Sequence, residues 1–134
     1  MNLVDVYSFS KIDAIGALFW LLKERTEDQS ISHKSMPLLE DHVRFIQSKP
    51  YRHWYLIVDN CECVGAVYLS KKDEIGIGVY KEYQGKGYAK QAILELVKLH
   101  PLDKYFANIN PRNTVSIKLF ESLGFAHVQN TYEL

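Results

Sequence analysis

Between an apolar stretch carrying two glycines, Glu74-Ile75-Gly76-Ile77-Gly78, and the start of a helical pattern lies the turn Gln84-Gly85-Lys86-Gly87-Tyr88-Ala89. A glycine turn opening a helix gathers backbone N–H groups at the positive end of the helix dipole, where a phosphate or pyrophosphate is best held. The spacing excludes the two commonest phosphate loops. A dinucleotide fingerprint needs a third glycine three residues after Gly87, and that position is Lys90. A P-loop needs Ser or Thr directly after the Gly-Lys pair, and Gly87 follows Lys86. Lys86 and Lys90 add positive charge to the turn.

A second segment, Asn110-Pro111-Arg112-Asn113-Thr114-Val115-Ser116 running on to Phe120 and Gly124-Phe125, carries polar groups to the mouth of another helix. Asn113 is its expected N-cap and Gly124 its C-terminal stop. Cys61 and Cys63, two residues apart, are poorly placed to bridge. Without a matching His pair they make no zinc site, so free thiols in a reducing cytoplasm are expected.

Around these segments the chain reads as strand, two helices, three strands, helix, strand, helix, strand. Leu3 to Tyr7 is the first strand. Ser10 with Asp13 opens a helix that puts Ile12, Ile15, Leu18, Phe19 and Leu22 on one face. Residues 24–36 are polar and aperiodic, a loop. Pro37 suits the first turn of a second helix, with Leu39, Val43 and Ile46 inward and Pro50 as its stop. Strands follow at 51–58, 63–69 and 74–80, turning at Asp59-Asn60 and Lys71-Lys72-Asp73. The helix after the glycine turn buries Ala89, Ala92, Ile93, Leu96 and Val97. Further strands are expected at 105–109 and 125–132. The fold class is α/β: a mixed sheet of six to seven strands with helices on both faces.

At 134 residues the chain forms one domain, 1–134. Lys plus Arg and Asp plus Glu number 16 each, for zero formal net charge. That balance argues against nucleic-acid binding, which asks for a basic face. The longest apolar run, Ala14 to Leu22, is nine residues and cannot span a bilayer. Acids precede it and no small-residue cleavage site follows, so no signal peptide is expected.

The glycine turn resembles the Gln/Arg-x-x-Gly-x-Gly/Ala turn of the GNAT N-acyltransferases, through Gln84, Gly87 and Ala89. The downstream segment is similar to that family's Asn-x-x-Ala/Ser-x-x-x-Tyr-x-x-x-Gly-Phe stretch, matching at Asn113, Ser116, Gly124 and Phe125. The order of elements resembles the family's from end to end. The C-terminus departs from it, because few residues remain for the usual seventh strand. Either the last hairpin is short or a partner chain completes that edge, and a homodimer is one expectation.

The resemblance implies acetyl-coenzyme A as co-substrate and a primary amine as acceptor, with no metal. Gln84, Gly85, Lys86, Gly87, Tyr88 and Ala89 are the expected pyrophosphate cradle. Ile77 and Val79 offer a strand edge to the amides of pantetheine. Asn113, Ser116 and Phe120 line the coenzyme. The Val79 N–H, freed by a bulge, is the expected oxyanion donor. Glu74, on a strand face with the two glycines, is the expected base and touches the amine. His33 and His42 are the alternatives on the substrate side.

Phe120 stands where the family usually has a tyrosine that protonates the leaving thiolate. Tyr88, Tyr132 or water could replace it, or the protein could bind acyl-coenzyme A without catalysis. Acceptor choice is expected to rest on 24–36 and 126–134. Ile31-Ser32-His33 and His42 are loosely similar to acetyltransferases of nucleotide-linked amino sugars. Peptide N-termini are the next expectation, ahead of polyamines, amino acids and aminoglycosides.

Overall fold

Nine-residue runs of aromatic and β-branched side chains build the two central strands, β2 (Tyr51–Asp59) and β3 (Glu62–Ser70). They pair antiparallel around Asn60-Cys61, whose φ values of 49° and 64° give the positive-φ turn that matches strand twist. The computed structural model describes residues 1–8, 11–24 and 36–134. β1 (Asn2–Asp5) flanks β2 and β4 (Ile75–Val79) flanks β3, so the sheet runs β1-β2-β3-β4 and is antiparallel throughout.

The two sheet faces hold separate cores. On one, α1 (Lys11–Glu24) and α2 (Leu39–Gln47) pack Ala14, Leu18, Leu21 and Ile46 against Trp54, Leu56 and Ala66. On the other, α3 (Tyr88–Leu99) and α4 (Thr114–Ser122) pack Ala92, Ile93, Leu96 and Phe120 against Ile57, Val67, Leu69 and Ile75. Helices on both faces of an α/β sheet are as the sequence implies; the strand count is not.

Among the described residues four strands form, not the six to seven expected. In 105–109 only Phe106 joins the sheet, by a parallel bridge to Glu74. The Tyr105 hydroxyl is committed locally to the Leu102 N–H and the His100 carbonyl, at 2.8 and 2.7 Å. Asn110 is folded into the turn ahead of α4. Residues 125–132 are not a strand. Residues 126–134 are exposed.

β1 ends at Asp5, whose carboxylate takes the Tyr7 N–H at 2.9 Å. In α1 the buried stripe is Ala14, Leu18 and Leu21, while Ile15, Phe19 and Leu22 are half-buried. Pro37 precedes α2, and Leu39 is exposed there while His42 and Ile46 are buried. The expected start at Ser10 lies outside the described residues. In α3, Ala92, Ile93 and Leu96 are buried as expected, with Ala89 and Val97 half-buried.

Candidate functional site

Everything at the site is organised by β4. Its register with β3 is unbroken, from the Ser70 N–H on the Glu74 carbonyl (2.8 Å) to the Tyr80 N–H on the Val64 carbonyl (2.9 Å). Even-numbered residues therefore spend their backbone groups on β3, and those of Ile75, Ile77 and Val79 point to the outer edge. The Ile75 N–H meets the Phe106 carbonyl at 2.7 Å, and the Phe106 N–H meets the Asp73 carbonyl at 2.9 Å. Beyond that bridge no backbone hydrogen bond joins 77–79 to 107–110. The two segments diverge, and a cleft of about 650 Å³ opens between them. The Val79 N–H is thus freed by the splay, not by the expected bulge.

The glycine turn closes one end of the cleft. Gly85 and Gly87 have φ of 78° and 85°, and a Cβ at either would meet nothing within 4 Å. Glycine is required there by backbone conformation, and the space above the turn is open. The Gln84 side-chain amide donates to the Val79 carbonyl at 3.0 Å, tying turn to strand. Two phenols tie the turn to the β2–β3 hairpin. The Tyr88 hydroxyl donates to Asp59 at 2.6 Å and the Tyr83 hydroxyl to Glu62. Donation to Glu62 holds the Tyr83 phenol up at about 12, and donation to Asp59 raises that of Tyr88. The same Tyr88 bond lowers the Asp59 carboxyl.

At the far wall the Asn113 side chain accepts the Ser116 N–H at 3.1 Å, the expected N-cap. α4 ends in a Schellman motif. The Gly124 N–H reaches the Glu121 carbonyl (3.0 Å) and the Phe125 N–H the Phe120 carbonyl (3.0 Å), with the two phenyl rings edge-on at 5.0 Å. Phe120 is therefore a buried anchor that also borders the cleft.

Of the sequence-selected residues, Glu74, Ile77, Val79, Gln84, Gly85, Gly87, Tyr88, Ala89, Asn113, Ser116 and Phe120 line this one cleft. Lys86 does not. Its Nζ stands 5.5 Å over the Tyr83 ring, and Lys90 lines the cleft in its place. Tyr132 is fully exposed and apart from the cleft, and the Tyr88 hydroxyl is spent on Asp59. His33 lies outside the described residues. His42 is buried, packed against the Phe19 ring at 5.3 Å.

Sequence reasoning missed the supports of Glu74. Its carboxylate accepts from the Ser70 hydroxyl at 3.2 Å and from the Asn108 amide. It also missed Tyr68 and Tyr51, stacked with centroids 3.7 Å apart and planes 6° apart. The Tyr68 ring lies across Gly76, where a Cβ would sit 2.0 Å from it. The signal was the cross-strand pairing of Gly76 with Tyr68, visible only once register is known. The Tyr68 hydroxyl has no hydrogen-bond partner among the described residues. Nor do three or more His, Cys, Asp or Glu side chains gather to hold a metal there. No described helix is long and apolar enough to cross a membrane.

The fold resembles solved structures over nearly its whole length. A domain from Methanocaldococcus jannaschii has TM-score 0.80 at 24% identity, covering 98% of this chain and 92% of that one. An acetyltransferase from Thermus thermophilus has TM-score 0.73 at 21% identity, covering 96% and 88%. A protein from Salmonella typhimurium, solved with its cofactor acetyl-coenzyme A, has TM-score 0.70 at 17% identity, covering 93% and 80%. No curated protein matches the chain. The model of the acetyltransferase (GNAT) family matches residues 15–125, taking in most of α1, the sheet from β2 to β4, the glycine turn and α4. The chain belongs to the acetyltransferase (GNAT) family, whose acetyl donor is acetyl-coenzyme A.

Proposed function

We propose that this domain moves an acetyl group directly from acetyl-coenzyme A to a primary amine. One observation carries the reading: β4 turns the free N–H groups of Ile77 and Val79 to the cleft edge while Glu74 shares a face with Gly76 and Gly78. The cleft fits the donor. A left-handed glycine turn with open space above it suits a pyrophosphate, and an unpaired strand edge suits pantetheine. Gln84, Gly85, Gly87, Tyr88 and Ala89 would hold the former, with Lys90 adding charge. Ile77 and Val79 would hold the latter beside Asn113, Ser116 and Phe120.

When bound, acetyl-coenzyme A supplies the thioester whose C–S bond breaks as the C–N bond forms. The Val79 N–H donates to the carbonyl oxygen as it gains charge. Glu74, held by Ser70 and Asn108, accepts the amine's proton directly or through water. Tyr68 returns a proton to the sulfur. Its support is an unpartnered phenol on the same face as Glu74, with Tyr88 and Phe120 otherwise committed. The acceptor is a primary amine, and a nucleotide-linked amino sugar and a peptide N-terminus are the two forms to be told apart. A cytoplasmic setting and a homodimer covering 126–134 belong to the same reading. The absence of a hydroxyl at Phe120 favours one other reading, a module that binds acyl-coenzyme A without transfer.

Glu74→Gln decides between them. Acetyl-coenzyme A should still raise the melting temperature, while amine-dependent thiol release falls by about 10²–10⁴. If the wild-type chain binds acetyl-coenzyme A yet no amine accelerates thiol release, the binding-module reading stands instead.

A further inference from the structure

Resting on the transferase reading, we propose that the acceptor is a primary amine borne on a compact apolar group, and that phosphorylated or nucleotide-linked amines are excluded. A second cavity of about 300 Å³ lies between α1, α2 and the opposite face of β2–β4. It meets the large cleft at Leu21, Phe45, Tyr51, Tyr68, Ile77 and Gly78, which border both. An amine entering from this side would thus arrive on the Glu74–Gly76–Gly78 face of β4, opposite the glycine turn.

The wall of this second cavity is apolar and aromatic: Leu18, Leu22, Trp54, Ala66 and the Tyr51–Tyr68 stack. Carboxylates are its main charged groups among the described residues: Asp41 lines it beside the buried His42, and Glu24 and Glu74 line the adjoining cleft. Among the described residues Lys90, at the glycine turn, is the only Lys or Arg lining either cavity. A phosphate placed here would lose its hydration against hydrocarbon and face carboxylates, with no Lys or Arg of the described residues lining this cavity to pair with it. An apolar group gains by the same burial, and the acids favour an amine that arrives protonated and is discharged at Glu74. Both a free arylalkylamine and a peptide with an apolar first residue present this chemistry.

The test measures coenzyme A release by the full chain at saturating acetyl-coenzyme A. The acceptors are phenethylamine, ethylamine, tripeptides beginning with Phe or with Asp, and UDP-glucosamine. Phenethylamine or the Phe tripeptide should exceed UDP-glucosamine by roughly 100-fold in kcat/KM. Whichever of those two is faster identifies the source of the amine. Leu22→Trp, filling the cavity, should lower the phenethylamine-to-ethylamine ratio about tenfold. The acetyl-coenzyme A thermal shift should persist in it. Should that variant not fold, Asp41→Lys at the exposed rim should raise KM for phenethylamine about fivefold. Preference for UDP-glucosamine, with the thermal shift present, overturns this inference and leaves the transferase reading. No thermal shift and no thiol release with any amine overturns both.

Discussion

The two faces of β4 are one strand put to different uses. Ile75, Ile77 and Val79 look toward α3, α4 and the glycine turn, while Glu74, Gly76 and Gly78 look toward α1, α2 and the aromatic cavity. Alternation with period two lets the six consecutive residues 74–79 present one set of side chains to each face. The faces differ in how they are made. The α3/α4 side draws on local motifs, the left-handed glycine turn and the capped α4, with Tyr83 and Tyr88 tying the turn to the β2–β3 hairpin. The α1/α2 side is assembled by side chains from four separate elements, with Tyr68 resting on a glycine of the neighbouring strand.

That contrast is open to attack from either side. The largest effect is expected at Phe120→Ala, which removes a fully buried ring from the α3/α4 core and the hydrophobic closure of the α4 C-cap. A loss of roughly 3–5 kcal/mol should appear in urea unfolding. A loss under about 1 kcal/mol would show that this face tolerates voids. Tyr68→Phe, on the other face, leaves packing alone and should slow acetyl transfer by about 10²-fold or more at unchanged melting temperature. An unchanged rate would remove Tyr68 as proton donor.

Next are two glycines that separate the faces. Gly87→Val forces a β-branched residue into a left-handed conformation and should cost about 1–2 kcal/mol while abolishing the acetyl-coenzyme A thermal shift. Gly76→Ala drives a methyl into the Tyr68 ring and should cost about 1–3 kcal/mol. It should preserve that thermal shift but impair turnover. If both variants lose coenzyme binding equally, the faces are not independent.

The smallest effect is the pH dependence of the clamp. The Tyr83 and Tyr88 phenols are raised from the ordinary 10.0 by donation to Glu62 and Asp59. The folded state then holds these protons more tightly than the unfolded chain. Their stabilisation is complete below about pH 10 and drains away as pH rises toward 12. Melting temperatures from pH 8 to 11.5 should fall less steeply in the Tyr83→Phe, Tyr88→Phe double variant than in wild type.

What the amino-acid order determined by itself was everything closed within a short span. The left-handed glycines of the turn, the Asn113 cap, the Gly124 stop and the buried stripe of α3 each depend on neighbours a few residues away. So does the parity that puts Glu74 with Gly76 and Gly78. Only the tertiary structure decided the rest. The strand ladder stops after Phe106, because 107–110 turns into α4 and leaves the Val79 N–H at an open edge. Lys90 replaces Lys86 at the cleft, because Lys86 lies over a tyrosine ring. Ser70 and Asn108 hold Glu74, and the Tyr51–Tyr68 stack walls the second cavity. These last arrangements join residues up to 34 positions apart. Which of many polar and aromatic side chains meet at such distances depends on strand register and helix packing, and no local pattern encodes either.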